Sequence, residues 1–297
     1  MSPATAMASQ WQNFQRNLGA WRGSFTDVDA QGQPLNSTPS LLTLSSAEDG
    51  RVVQFRLQRF GGDDPSSPPT HDLAQEYRTL GRQVVFFDDG CFSKGSLQLA
   101  PATRFGAEYG FIRGDRRHRL MQLFAEDGGF DALVLIREFR DGSAAVEGPP
   151  LTVAQLGGSW EGQAATIEAN WPEPTLQQAL IQVDQPDGQS LRIETRLAGE
   201  CAVVRGRQQG GHCFAVETGA VETGAAEAGA VAGEQPARLL LLPDGGLSLA
   251  PQRVTHRRAF SVEAGWLASA DCWLRLIRRY GGRGEWLSST LVSAQRR

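Results

Sequence analysis

An arginine set among apolar neighbours is the clearest candidate for ligand binding in this sequence. In RLMQLF (119–124), Arg119 alternates in phase with Met121 and Leu123, so a strand would place the three side chains on one face. A guanidinium on such a face can bind a carboxylate or a propionate through a bidentate pair. The alternative, that Arg119 belongs to a solvated charge cluster in GDRRHR (114–119), stays open.

Motifs for catalysis and for metal binding are missing from the sequence. No two of the four histidines stand at metal-ligand spacing, although His118 alone could serve as an axial ligand of a haem. Gly-x-Ser-x-Gly, phosphate-loop and dinucleotide-binding motifs are not found. Glu108 is opposite in phase to Tyr109 and is expected to face outward, near an arginine such as Arg56. We predict no catalytic residue, no metal site and no required cofactor.

Alternating residues indicate the strands that would position Arg119. RVVQFRLQRF (51–60) and FGAEYGFI (105–112) each place apolar residues at every second position. Similar segments follow at intervals near ten residues, separated by glycine-rich turns, which predicts an antiparallel meander that closes into a barrel. The residues predicted to line its interior and bind a ligand are Phe55, Leu57, Tyr109, Phe111 and Arg119. Alternation alone leaves open whether this interior is hollow or filled.

Three phrases occur twice and in the same order. Leu-Gly, a short gap and Trp-x-Gly surround both Trp21 and Trp160, and GSLQLAP (95–101) returns as GGLSLAP (245–251). The last pair of strands in each half also shares a pattern that includes a Gly-Gly turn. These matches indicate an internal duplication. In a barrel, a large aromatic residue can plug the open bottom while flanking glycines let the backbone pass close to its ring.

The duplication predicts an all-β protein of two tandem antiparallel barrels, each preceded by a short helix. The predicted boundaries are 8–143 for the first barrel and 151–297 for the second, joined by a small, polar, proline-containing linker at 140–152. A near-perfect five-residue repeat of small residues predicts a flexible low-complexity loop at 215–235.

A short helix, Gly-x-Trp and a long meander together resemble the calycin superfamily, which contains the lipocalins and the fatty-acid-binding proteins. In that superfamily a basic residue of the last strand stacks on the tryptophan, which implies that Trp21 and Trp160 are barrel plugs and that Arg137 stacks on Trp21. The position aligned with Arg137 in the second half is Ser293, and the arginines there, Arg296 and Arg297, lie beyond it.

A narrower resemblance rests on NFQRNLGAWRGSFT, FFDDGCFSKGSLQLAP, FGAEYGFI, RLMQLF and LIRE, followed by a second barrel. This order is similar to that of a two-barrel calycin-like family of photosynthetic microbes and plastids, catalogued as a domain of unknown function. The family implies a looser kinship to the phycobiliprotein lyases, which hold a bilin and deliver it to a cysteine of a target protein.

Composition and charge narrow the class of partner. The net charge is −4 with a sequence pI of about 5.7, so no overall positive field favours nucleic acid. The four cysteines form no C-x-x-C pair, and we expect them to be reduced. The N-terminal residues lack the pattern of a secretion signal, and no apolar run is long enough to span a membrane, so we predict a cytoplasmic location.

The function that these observations favour is binding of a small amphipathic or hydrophobic molecule, such as a tetrapyrrole or a fatty acid, in a barrel cavity without catalysis. One alternative is a bilin-lyase-like enzyme or chaperone that acts on a partner protein. Another is a structural module whose filled barrels make protein contacts. Inward-facing ionisable groups would favour the first alternative, and a filled interior the second.

Overall fold

The computed structural model of the chain describes residues 8–62, 67–197, 199–218, 222–223 and 235–297. Over these residues the chain is all-β, with two tandem antiparallel sheets, which confirms the fold class predicted from the sequence. A short helix precedes each sheet and begins with a capping box. Ser9 caps α1 (Gln10–Gln15) and Thr152 caps α2 (Val153–Leu156).

The first half forms nine strands: β1 (Gly19–Val28), β2 (Pro34–Ala47), β3 (Val52–Arg59), β4 (His71–Tyr77), β5 (Val84–Phe86), β6 (Phe92–Gly95), β7 (Phe105–Arg113), β8 (Arg116–Phe124) and β9 (Phe130–Arg140). Their order in the sheet is β4-β3-β2-β1-β9-β8-β7-β6-β5. Strands β4 and β5 are the two edges, and in the described part of the chain they do not pair with each other. The first sheet is therefore a half-barrel.

The second half forms eleven strands: β10 (Gly158–Glu168), β11 (Trp171–Asp184), β12 (Ser190–Leu197), β13 (Glu200–Gly210), β14 (Cys213–Thr218), β15 (Glu222–Thr223), β16 (Pro236–Leu241), β17 (Gly246–Pro251), β18 (Phe260–Ser269), β19 (Cys272–Tyr280) and β20 (Trp286–Arg296). Strand β12 pairs with β11 on one side and with β13 on the other, so ten of these strands form a closed ring. The short strand β15 pairs with β13 outside that ring.

The two sheets differ because the edge strands of the first offer little to pair with. Strand β5 has only three residues, and most side chains of β4 are exposed. Helix α1 bridges the two edges at one end instead. The ring of Phe14 lies 5.7 Å from that of Tyr77 on β4 and 5.1 Å from that of Phe86 on β5. The side chain of Gln10 accepts a hydrogen bond from the backbone N–H of Phe86 and donates one to its carbonyl oxygen.

Apolar side chains form three clusters: one inside the half-barrel, one inside the closed barrel and one between the two sheets. The cluster between the sheets contains buried residues from both halves. Within it the ring of Phe105 lies 5.4 Å from that of Phe260 and 4.9 Å from that of Tyr280. The two sheets therefore share a core and do not meet only at a linker.

The predicted flexible loop at 215–235 lies for the most part outside the described residues. Residues of this range that are described include the end of β14 and all of β15.

Candidate functional site

The two predicted plugs, Trp21 and Trp160, lie in equivalent places near the starts of β1 and β10. Trp21 is 0% exposed and Trp160 is 1% exposed. Each indole N–H donates to a carbonyl oxygen four residues earlier, that of Asn17 at 2.9 Å and that of Leu156 at 2.8 Å. The same local geometry in both halves explains why the tryptophan phrase occurs twice.

An arginine of the last strand stacks on each tryptophan, but at a different position from the one predicted. The guanidinium carbon of Arg140 lies 4.3 Å from the ring centre of Trp21, and that of Arg296 lies 4.1 Å from the ring centre of Trp160. Strand pairing explains this, since Trp21 is opposite Arg140 and Trp160 is opposite Arg296. The stacking contact is therefore present in both halves.

Arg137, for which stacking on Trp21 was predicted, lies opposite Ser24, three residues along β9 from Arg140. Its guanidinium pairs with Glu147 and donates to the hydroxyl of Thr26 at 2.8 Å. The structure thus corrects the position of the stacking arginine by three residues.

The glycine two residues after each tryptophan is required by a close approach of the backbone. A Cβ atom built on Gly23 would lie 2.1 Å from the carbonyl oxygen of Arg137, and one built on Gly162 would lie 1.9 Å from that of Ser293. No side chain fits at these distances, because the neighbouring atom belongs to the backbone of the last strand. The Trp-x-Gly phrase thus joins the first and last strands of each sheet.

Tyr109 and Phe111 lie on the face of β7 opposite to the one expected. Both are fully buried in the cluster between the sheets, where the hydroxyl of Tyr109 donates to the side chain of Gln122 at 3.3 Å. The apolar face of β7 packs against the second sheet, so the alternate residues, among them Glu108 and Gly110, face the inside of the half-barrel. The strand was predicted from its alternation, but the face that points inward was reversed.

The inner face of the first sheet, here called the trough, carries apolar side chains that are incompletely covered. Leu57 is buried there, while Phe55, Tyr77, Met121 and Val134 are half-buried. Phe55 and Tyr77 meet edge to face with ring centres 6.0 Å apart. Two of the predicted ligand-binding residues, Phe55 and Leu57, therefore lie on this face.

Arg119, the third predicted ligand-binding residue on this face, belongs to an ionic cluster. The cluster consists of Lys94, Glu108, Arg117, Arg119 and Glu138. Arg119 donates from Nε to Glu108 at 3.0 Å and from Nη1 to Glu138 at 3.2 Å, and its Nη2 also contacts Glu108. Arg117 donates to the other oxygen of Glu138 at 3.1 Å. Glu108 therefore faces inward, contrary to expectation, and Arg56 pairs with Asp72 instead.

Burial and neighbouring charges compete in setting the ionisation of this cluster. Burial raises the pKa of Glu108, but the charges of Arg119 and Lys94 outweigh it and hold that pKa below the ordinary value of 4.5. Burial lowers the pKa of Arg119, yet Glu108 and Glu138 hold it above its ordinary value. For Arg117 burial prevails and lowers the pKa to about 10. Both arginines are therefore charged at neutral pH.

Lys94 is the accessible member of the ionic cluster. Its side chain is 53% exposed, whereas those of Glu108 and Arg119 are 12% and 13% exposed. The ammonium lies 3.8 Å from the carboxylate of Glu108, which is longer than a hydrogen bond. This group is consequently free to contact an anion that enters the trough.

The closed barrel contains a reduced version of the same cluster. Arg275 donates to both oxygens of Glu263, at 2.6 and 3.0 Å, and to the hydroxyl of Thr195 at 2.7 Å. Arg275 lies opposite Gly265, as Arg119 lies opposite Gly110. The sequence signal is a repeated Glu-x-Gly on one strand and Arg-Leu on the next. The expectation that Glu108 faces outward concealed this repeated pattern.

His118 is fully buried between the sheets, where its Nδ1 lies 3.2 Å from a carboxylate oxygen of Asp244 and its ring stacks on Trp266. Among the described residues, no group of three or more histidine, cysteine, aspartate or glutamate side chains could hold a metal ion.

No helix in the described ranges has both the length and the apolar character needed to cross a membrane.

Comparisons with protein families match both halves of the chain. Residues 7–143 match the N-terminal domain model of a domain of unknown function, DUF3598. Residues 147–297 match a model described as the C-terminal domain of biogenesis factor required for ATP synthase 1. Among curated proteins, none matches the chain significantly.

The solved structures that match the chain include a DUF3598-family protein and a phycobiliprotein lyase. One is a crystal structure of a DUF3598-family protein of unknown function from Nostoc punctiforme PCC 73102, which is 34% identical, covers 98% of this chain and 100% of its own, and has a TM-score of 0.83. The other is the S-type phycobiliprotein lyase CPES from Guillardia theta, which is 14% identical, covers 49% of this chain and 90% of its own, and has a TM-score of 0.32. A TM-score of that size carries no inference about binding.

Proposed function

The chain belongs to the DUF3598 family, and we propose that it binds an amphipathic organic molecule in the trough of its half-barrel, without transforming it. The observation that carries this proposal is the ionic cluster around Arg119, which lies on the inner face of a sheet whose edges do not pair. Replacing a buried ion pair by apolar residues is often neutral or stabilising, so charges retained on an incompletely covered face, with Lys94 exposed, favour recognition of a ligand over packing.

The composition of the trough favours one class of ligand. Lys94 and Arg119 offer donors to a carboxylate, while Glu108 offers an acceptor to N–H groups. A fatty acid carries a carboxylate but no N–H group. A tetrapyrrole carries both, with propionates for the cations and pyrrole N–H groups for Glu108, and its rings would cover the half-buried apolar side chains around Phe55.

Titration of the purified protein with biliverdin, followed by its absorption spectrum, tests this proposal. We expect saturable binding, weakened about threefold or more by Lys94→Gln, which removes an exposed cation from the trough. Arg56→Gln is the matched control, because Arg56 is an exposed cation of the same sheet that pairs with Asp72. Oleate is the second probe. Failure of both biliverdin and oleate to bind would refute the proposal.

A chaperone or lyase-like role toward a partner protein is the second candidate. Two observations favour it: carboxylates accompany arginines on the inner face, and β4 is an edge strand whose outer backbone groups are available to a partner's strand. The family model that matches the second half of the chain is also named for a biogenesis factor. Release of bound biliverdin on addition of a cysteine-containing acceptor protein would separate this candidate from simple binding.

The closed barrel enters neither candidate. Its interior is occupied by buried apolar side chains, including both Trp160 and Trp273, whose ring centres are 5.6 Å apart. The cluster in that interior, Glu263 with Arg275, is itself buried. A filled interior is what the structural-module alternative predicts, and we therefore assign no ligand to this barrel.

A further inference from the structure

Arg278 on β19 is a fully buried cation between the two sheets. It is 0% exposed, and no Asp or Glu carboxylate of the described residues lies within 4.0 Å of its nitrogens. Its hydrogen-bond partners are neutral hydroxyls: Nε donates to Tyr280 at 3.0 Å, and Nη1 donates to Ser93 at 3.1 Å and to Ser289 at 3.4 Å. A buried charge without a counterion is strongly unfavourable, and a guanidinium cannot lose its proton to escape that state.

Two N–H donors at the same place have no partner. The Nη2 atom of Arg278 is buried and donates to no acceptor of the described residues, and the same holds for Nε1 of Trp286. The guanidinium carbon of Arg278 lies 5.0 Å from the ring centre of Trp286, so the two donors belong to one small region. Buried donors are almost always satisfied in folded proteins, so two orphans beside an unpaired cation point to an acceptor with negative charge.

Gly95 lies directly against this guanidinium. A Cβ atom built on Gly95 would lie 3.0 Å from Nε and 3.2 Å from the guanidinium carbon of Arg278. Any larger residue at this position would press on the cation. The side-chain hydroxyls of Ser93 and Ser289, 3.3 Å apart, lie on another side of it.

We propose that this region binds a small monovalent anion of the halide class, held by Nη2 of Arg278 and Nε1 of Trp286. Ser93 comes from the first sheet, whereas Arg278, Ser289 and Trp286 come from the second. The anion therefore neutralises the charge that lies between the two sheets and stabilises their association. This site is separate from the trough and does not depend on the proposed function.

Bromide is the probe. Crystals grown in sodium bromide are expected to show an anomalous peak within hydrogen-bond distance of Nη2 of Arg278, and the melting temperature is expected to rise when bromide replaces gluconate at constant ionic strength. Trp286→Phe keeps an aromatic ring at this position and removes the N–H donor, so the bromide concentration at half-effect should rise about tenfold. Arg279→Met is the matched control, since Arg279 is exposed and only loosely paired with Glu200.

Three results would overturn the proposal. They are a melting temperature that does not respond to bromide in the unchanged protein, an equal response in Trp286→Phe, and a water molecule without anomalous signal at the two donors. Arg278→Met is not needed for any of these measurements, so the test does not depend on whether that variant folds.

Discussion

Replacing Arg140 by methionine removes the cation from the face of Trp21 while keeping an apolar side chain over the ring. The guanidinium carbon is 4.3 Å from the ring centre, and such a contact contributes about 0.5–2 kcal/mol. Arg140 also donates to the carbonyl oxygen of Leu18 at 3.2 Å, a bond from a charged donor that contributes about 1.5 kcal/mol. Its exposed pair with Asp115 adds little. We expect Arg140→Met to lower the free energy of unfolding by about 2–3 kcal/mol.

The matched control is Arg137→Met, on the same strand. Arg137 pairs with Glu147, whose side chain is 44% exposed, and donates one hydrogen bond to Thr26, so its loss should lower the free energy of unfolding by about 1 kcal/mol. Urea unfolding gives the two free energies, and the indole N–H resonance of Trp21 reports whether the ring has moved. Equal losses in the two variants, or a Trp21 resonance that shifts only in Arg137→Met, would show that the stacking arginine has been assigned wrongly.

Two further predictions concern the backbone approach and the ionic cluster. Gly162→Ala should lower the melting temperature strongly, because the added Cβ would overlap the carbonyl oxygen of Ser293. Gly188→Ala is the control and should leave the melting temperature nearly unchanged, because the space around Gly188 is open. Similar melting curves for the two variants would contradict this reason. The pKa of Glu108 is lowered by folding, so its stabilising effect is present above the ordinary value of 4.5 and is lost as the pH falls through the lower folded value. Glu108→Gln should therefore flatten the acid side of a plot of stability against pH, and an unchanged acid side would show that Glu108 is not stabilised by its arginine.

The strands and the repeated plug could be predicted from the sequence because they depend on local patterns. Alternation over 51–60 and 105–112 indicates strands wherever they pack, and Trp-x-Gly occurs in both halves because each sheet joins its first strand to its last. The inward face of β7 could not be predicted in the same way. Its apolar face, with Tyr109 and Phe111, packs against the second sheet, and alternation does not reveal that two sheets meet there.

The stacking arginine was within reach of the sequence. With Arg137 aligned to Ser293, the position three residues further holds arginine in both halves, Arg140 and Arg296. The resemblance to calycins placed the contact nearer the middle of the strand, and only the pairing register opposite Trp21 corrects it. The open side of the half-barrel could not be predicted from the sequence. It depends on whether β4 and β5 pair with each other, and the pattern of either strand alone does not reveal this.

Phe105 of the first half packs against Phe260 and Tyr280 of the second half, so both halves contribute to one aromatic layer. Each half covers buried apolar side chains of the other, so neither half can be deleted without exposing them. A fragment that ends near the middle of the chain would expose a large apolar surface to water, and we expect it to aggregate. Exchange of one half with that of a relative should preserve folding only if the residues of the other half that contact it are exchanged as well.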